Sequence, residues 1–139
     1  GMKVMSHTNG VYGVRAALKA GVDSLEHGNY MDGETLEMLA ESSTVWVPTL
    51  VTVINLLGSE RYEDAALLPI IQSASENVRR AFQMGIHVAA GSDAGAYRVY
   101  HGQGIQDEIH AFEEILGCRD KVYTWLKEGE EDIKNKFHS

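Results

Sequence analysis

Cysteine is nearly absent. Cys118 stands alone in 139 residues, which excludes an internal disulfide or a thiolate metal cluster and fits a reducing cytoplasm. At the end of an apolar helical pattern, it reads as a small hydrophobe. No apolar run approaches the roughly 18 residues that a bilayer-spanning helix needs, and no charged-then-apolar signal pattern opens the chain. Gly1 ahead of Met2 reads as a remnant of tag removal. Positive charge is scarce and scattered, with 12 Lys and Arg against 20 Asp and Glu, for a net charge of -8. Without a basic cluster there is no surface to track a phosphate backbone, so nucleic acid is excluded as a partner, and the acidity serves solubility.

What is present suffices for one domain over 1–139. An apolar content of 44% allows a real core, while the length is too short for two ordinary domains. Lys3 to His7 reads as a short strand. A Thr8-Asn9-Gly10 turn follows, then a helix with Val11, Val14 and Leu18 at helical spacing, stopped by Ala20-Gly21. Val22 to Gly28 is a second strand, ending in Glu-His-Gly. Asp32 caps a second helix that buries Leu36, Leu39 and Ala40. Thr44 to Val47 is a third strand, closed by Pro48, which cannot donate to a central ladder.

Thr49 to Tyr62 lacks clean periodicity and reads as a loop over the mouth with some helix. Ala65 to Met84 is a long helix, bent near Pro69 and ended by Gly85, and Ile86 to Ala90 is a fourth strand, able to be buried on both faces. Ile105, Ile109, Phe112, Ile115 and Leu116 make a one-faced helix stopped by Gly117. In the charged tail beyond it, Val122, Trp125, Leu126, Ile133 and Phe137 anchor one or two further helices. Four alternations of strand and helix predict a parallel α/β architecture with right-handed crossovers.

His7, His27 and Asp93 each stand at or just beyond the carboxyl end of a predicted parallel strand, the edge where such sheets place their chemistry. Imidazole and carboxylate suit zinc, manganese, iron or nickel. A metal so held lowers the pKa of its bound water toward about 7, and Asp93 could orient that water, take its proton and pass it to a leaving amine. Gly91 and Gly95, flanking Asp93, permit a sharp turn and close approach. Each member also has an ordinary explanation: Asp93 as a helix cap or turn residue, each histidine as a hydrogen-bonded structural residue. The spacing leaves both open, because the ligands are scattered rather than gathered in a compact motif.

Other polar residues are weaker candidates. Tyr97, Tyr100 and His101 lie in the loop after Asp93 and either touch substrate or are ordinary loop residues; Thr49, Tyr97 and His101 make up a candidate substrate loop. Strand alternation points Glu26 away from the mouth, as a structural residue. Glu108 is a favourable carboxylate in a helix's first turn. His87 and His110 read as surface or packing residues, and Arg79-Arg80 with Glu76 as a solvated helix face.

The ordered set Val-Met-Ser-His-Thr-Asn-Gly, Ala-Gly-Val-Asp-Ser-Leu-Glu-His-Gly, Val-Pro-Thr-Leu and Ala-Ala-Gly-Ser-Asp-Ala-Gly, from about Lys3 to Gly117, resembles the second half of a metal-dependent amidohydrolase of the imidazolonepropionase and Xaa-Pro dipeptidase-like branch. That resemblance implies part of a (β/α)8 barrel of the TIM type, with strands equivalent to the fifth through eighth. It implies that His7 and His27 are the fifth- and sixth-strand metal ligands, and that Asp93 is the eighth-strand ligand and general base. Pro48-Thr49 would end the seventh strand, and Glu108 falls where the family often has a Glu opening the last helix. The cofactor implied is a divalent metal, zinc first, and the chemistry is hydrolysis of an amide, cyclic amide or dipeptide.

The departures from the family are specific. The chain has no first-strand His-x-His and no fourth-strand lysine or glutamate to bridge metals, and residues 118–139 diverge as a helical tail. The expectation is a (βα)4 half-barrel whose first and fourth strands are open sheet edges. Three arrangements would meet this: a twofold dimer pairing strand four with strand one, a separate chain supplying the missing half, or a flattened sheet whose exposed face the tail covers. Self-association is the favoured expectation. The alternative to a hydrolase is a non-catalytic remnant that serves as an oligomerising or partner-binding module.

Overall fold

The computed structural model describes residues 1–138. Three short parallel strands, β1 (Met5–Thr8), β2 (Ser24–His27) and β3 (Val45–Val47), lie in the order β1-β2-β3, with His7 opposite Glu26 and Leu25 opposite Trp46. The intervening helices are α1 (Val11–Ala20) and α2 (Gly33–Glu41). Beyond β3 come α3 (Val51–Ile54), α4 (Asp64–Met84), α5 (Gln103–Leu116) and α6 (Arg119–Phe137). Among the described residues, no helix is long and apolar enough to cross a membrane.

The expected fourth strand is shorter than its apolar run suggests. It pairs with β3 through one parallel bridge, Trp46 opposite Val88, made by the Trp46 N–H to the His87 carbonyl at 2.9 Å and the Ala89 N–H to the Trp46 carbonyl at 3.0 Å. The architecture is therefore three parallel strands alternating with helices, plus one bridged segment: part of a barrel rather than four full strand-helix units.

The capping chemistry follows the sequence. Gly21, Gly85 and Gly117 end α1, α4 and α5 in left-handed backbone. Asp32 caps α2, accepting the Thr35 N–H at 2.8 Å. Pro69 sits in the second turn of α4 without ending it.

Alternation along the strands separates two faces. Leu25, Trp46 and Val88 point into the main core, with Val14 and Leu18 of α1, Leu36 and Leu39 of α2, Val78 and Ala81 of α4, and Phe112 of α5. Val45, Val47 and Ala89 point to the opposite face, the side that would be a barrel's interior, where Ile133 of α6 packs on them. Gly91 fits here because a Cβ on it would stand 2.5 Å from the Val47 side chain.

One helix takes the place of a missing strand. The Ile86 and Val88 carbonyls face away from β3, the direction in which a closed barrel would continue. Trp125 of α6 donates its indole N–H to the Ile86 carbonyl at 2.9 Å, and Gly129 lies so close to the Val88 carbonyl that a Cβ would overlap it. His87 adds a contact to Asp132. α6, whose five Lys and Arg balance its five Asp and Glu, thus covers this edge, and pairing of strand four with a second copy would require α6 to leave. At the other end of the sheet β1 is an edge strand with no further strand paired to it among the described residues, and Met2 is 95%, Val4 49% and Met5 51% exposed.

Candidate functional site

The carboxyl ends of the strands carry an unusual backbone. Three of the residues that follow or end them, His27, Thr49 and Asp93, have φ of 67°, 49° and 53°. Left-handed backbone is uncommon outside glycine, and for β-branched Thr49 it is an outlier of the kind that clusters at functional sites.

At His27 the backbone determines what the side chain meets. Strict alternation from Leu25 and Glu26 would send His27 to the helix side, with Leu25 and Trp46. The positive φ breaks that alternation, and the imidazole lies beside His7, ring centroids 5.2 Å apart and planes inclined by 53°. His7 Nδ1 and His27 Nε2 face each other at 3.1 Å. The His27 main chain is pinned from beneath by the Trp46 indole N–H, which donates to its carbonyl at 2.9 Å. Its other ring nitrogen, Nδ1, lies 2.6 Å from Thr49 Oγ1. Burial pushes the His27 imidazole below its ordinary range and the adjacent His7 acts in the same sense, whereas the Asp93 and Glu26 carboxylates oppose them.

Two imidazoles so placed fit a divalent ion. Nitrogens bound at about 2.0–2.1 Å to a tetrahedral zinc are separated by about 3.3 Å, close to the spacing of His7 Nδ1 and His27 Nε2. Asp93 is near enough for its charge to act on His27. However, among the described residues no group of three or more His, Cys, Asp or Glu side chains comes together at ligating distance. His7 and His27 are brought together, and no third such side chain is gathered with them among the described residues.

The remaining candidates fall at the rim. Tyr97 is half exposed and lies under the Arg61 guanidinium, 5.0 Å from its ring centroid. Arg98, Tyr100 and the Gly58–Glu60 stretch share its shallow cleft, and the two loops are tied by Asn55 Nδ2 donating to the Arg98 carbonyl at 3.1 Å. His101 is exposed. Thr49 is 4% exposed, with its hydroxyl turned to His27 and to the Pro48 carbonyl. Glu26 accepts the Ser24 hydroxyl at 2.7 Å and shares the inner face with His7 through their register. Its predicted turn away from the mouth is therefore corrected: alternation places it with His7, opposite to Leu25. His110 sits on the surface beside Glu113 and Glu114, as expected.

Two supporting residues exceed what the sequence indicated. Glu108 is fully buried and accepts the Leu50 and Val51 N–H groups at 3.0 and 2.9 Å, locking the loop after β3 to α5. Burial pushes its carboxyl up to about 8, against the pull of those two N–H groups. Trp46, in a run of β-branched residues, carried one readable signal: a buried indole N–H must find an acceptor.

No family model matches the chain. An uncharacterized protein of Mycobacterium tuberculosis is 31% identical over 121 residues, 83% of this chain and 32% of that protein. Ochratoxinase of Aspergillus niger is 32% identical over 95 residues, 65% of this chain and 20% of the enzyme. The crystal structure of an Xaa-Pro dipeptidase with methionine bound in its active site superposes with a TM-score of 0.75 at 25% identity, covering 98% of this chain and 35% of that one. The chain therefore spans about a third or less of the length of these relatives.

Proposed function

Because the chain belongs to the amidohydrolase superfamily, as a segment similar to its Xaa-Pro dipeptidase-like and ochratoxinase-like members, we propose that it carries part of a divalent-metal centre for hydrolysing a carbon–nitrogen bond in an amide, cyclic amide or dipeptide. The observation that supports this most directly is the facing pair of His7 Nδ1 and His27 Nε2 at the carboxyl ends of adjacent parallel strands.

His7 and His27 would hold the ion, zinc in the first instance, with iron, manganese or nickel as alternatives suited to the same donors. Asp93 would complete the set. When bound, such an ion supplies a water acidified toward neutrality and a polarised carbonyl. The chain's own contribution is a base and a shaped mouth. Asp93 Oδ takes a proton from the attacking water and returns it to the departing amine nitrogen. Tyr97 and His101 stand in the loop that would meet the substrate. Burial keeps His27 neutral, and therefore able to ligate, further below neutral pH than a free imidazole.

Elemental analysis of freshly purified full chain, together with zinc titration and an Xaa-Pro dipeptide hydrolysis assay, tests this. Near-stoichiometric metal that disappears in the His7→Ala, His27→Ala double variant supports the reading. No retained metal after supplementation overturns it for this chain.

A second reading is favoured by the open edge of β1 and by the histidine pair having, among the described residues, no third ligating group gathered with it. In it the chain is a non-catalytic module that pairs through β1 with a chain supplying the rest of a barrel. Light scattering on the same sample separates the two, because a metal-free species that associates fits only the second.

A further inference from the structure

The hydroxyl of Thr49 has one proton and two neighbours, the Pro48 carbonyl at 2.8 Å and His27 Nδ1 at 2.6 Å. Pro48 is buried, and among the described residues the Thr49 hydroxyl is the donor that reaches its carbonyl. A buried carbonyl is satisfied when that proton points at it. The hydroxyl oxygen is then left as an acceptor, and the contact with His27 requires a proton on Nδ1. A neutral imidazole with its proton on Nδ1 has its lone pair on Nε2, the nitrogen that faces His7.

We propose that Thr49 is a positioning residue for His27: its hydroxyl accepts the Nδ1 proton and so keeps the Nε2 lone pair aimed at His7 and the mouth. In the metal-free chain, His7 Nδ1–H donates to that lone pair. A cation entering between the rings would displace this one proton to His7 Nε2, freeing both facing nitrogens together. Thr49 is held for the task by its surroundings. It is almost wholly buried, its φ of 49° turns the hydroxyl back over the strand end, and the next two N–H groups are fixed by Glu108. Outer partners of this kind set tautomer and ring orientation in metal sites.

The inference rests on the metal reading for its consequence, but its geometry is tested without metal. In the chelator-treated full chain, well above the ordinary imidazole pKa, nitrogen-15 NMR of the side chain is expected to show His27 protonated at Nδ1 and bare at Nε2. Thr49→Val preserves shape and branching and removes the hydroxyl. It is expected to mix the two tautomers and weaken zinc binding about 10–100-fold, with Thr49→Ser restoring both. A wild-type His27 protonated at Nε2 overturns the inference, and this reading needs no variant to fold. So does a folded Thr49→Val chain with unchanged tautomer and zinc affinity. If the wild type shows the expected tautomer but binds no zinc, the metal reading fails and the hold of Thr49 on His27 stands.

Discussion

Glu108 holds the backbone N–H of Val51 at 2.9 Å from a position with no exposed surface, across 57 residues of chain. With the companion bond to Leu50, one carboxylate on α5 fixes the loop that begins with Thr49. Thr49 in turn meets His27, so a buried acid two contacts away helps set where an imidazole points.

Glu108 should impose a pH dependence on stability. Its folded value of about 8 lies above the ordinary 4.5, so the folded state binds the extra proton in between. Its contribution is therefore fully present below about pH 4.5 and lost as pH rises through about 8. Glu108→Gln should flatten this loss, at a cost of about 1–3 kcal/mol from a buried N–H left without a good acceptor. Urea unfolding midpoints of both chains across that window check it.

Asp32 acts in the opposite sense. Its carboxyl is pulled down to about 2, first by the Thr35 hydroxyl, then by the Thr35 N–H and Arg15. Stability from this cap is therefore present above the ordinary 3.8 and lost as pH falls toward about 2. Asp32→Ala should lower the thermal midpoint at neutral pH and blunt the acid limb. Asp32→Asn, which can still cap α2 but loses the charge beside Arg15, should fall between. Thermal scans at neutral and acid pH decide the order.

Periodicity and capping chemistry made most helices and the first three strands readable, because apolar spacing, Asp32 and the terminal glycines are local signals. Placing His7, His27 and Asp93 at strand ends was equally local. That His27 meets His7 was not, since it depends on a left-handed backbone at a histidine, which alternation argues against. Glu26 failed as a prediction for the same reason: its face is set by register with β1 rather than by its neighbour His27. Glu108 looked like an ordinary first-turn acid because its partners lie in a distant loop without periodicity. The short fourth strand was hidden for a related reason: an apolar run reports burial, and Ile86 and Val88 are buried partly by a helix.

Trp46→Phe separates packing from support of the site. Phenylalanine fills much of the indole's space but cannot donate to the His27 carbonyl, now bonded at 2.9 Å. The expected loss is about 1–2 kcal/mol of stability, from one hydrogen bond and some volume. Because this bond holds the left-handed turn at His27, zinc affinity should fall several-fold beyond any change at a core position remote from the site. Val78→Ala, fully buried in the same core, is the comparison. Calorimetric titration of both folded variants provides the readout.

Gly129→Ala tests whether α6 closes the free edge of the sheet. Helix propensity alone predicts stabilisation of up to about 1 kcal/mol, since glycine is a poor residue within a helix. The placement predicts the reverse, because a Cβ would overlap the Val88 carbonyl and stand 2.9 Å from Ala89 N, and neither backbone atom can swing aside as a side chain could. The helix would have to lift, straining the Trp125 bond to the Ile86 carbonyl and the packing of Ile133 on Val45, Val47 and Ala89. A net destabilisation of about 1–3 kcal/mol is expected. Lifting α6 also bares a strand edge, so light scattering should show more association than the wild type has at the same concentration. A Gly129→Ala chain that is more stable than wild type and equally monodisperse would mean that α6 does not rest on the fourth strand.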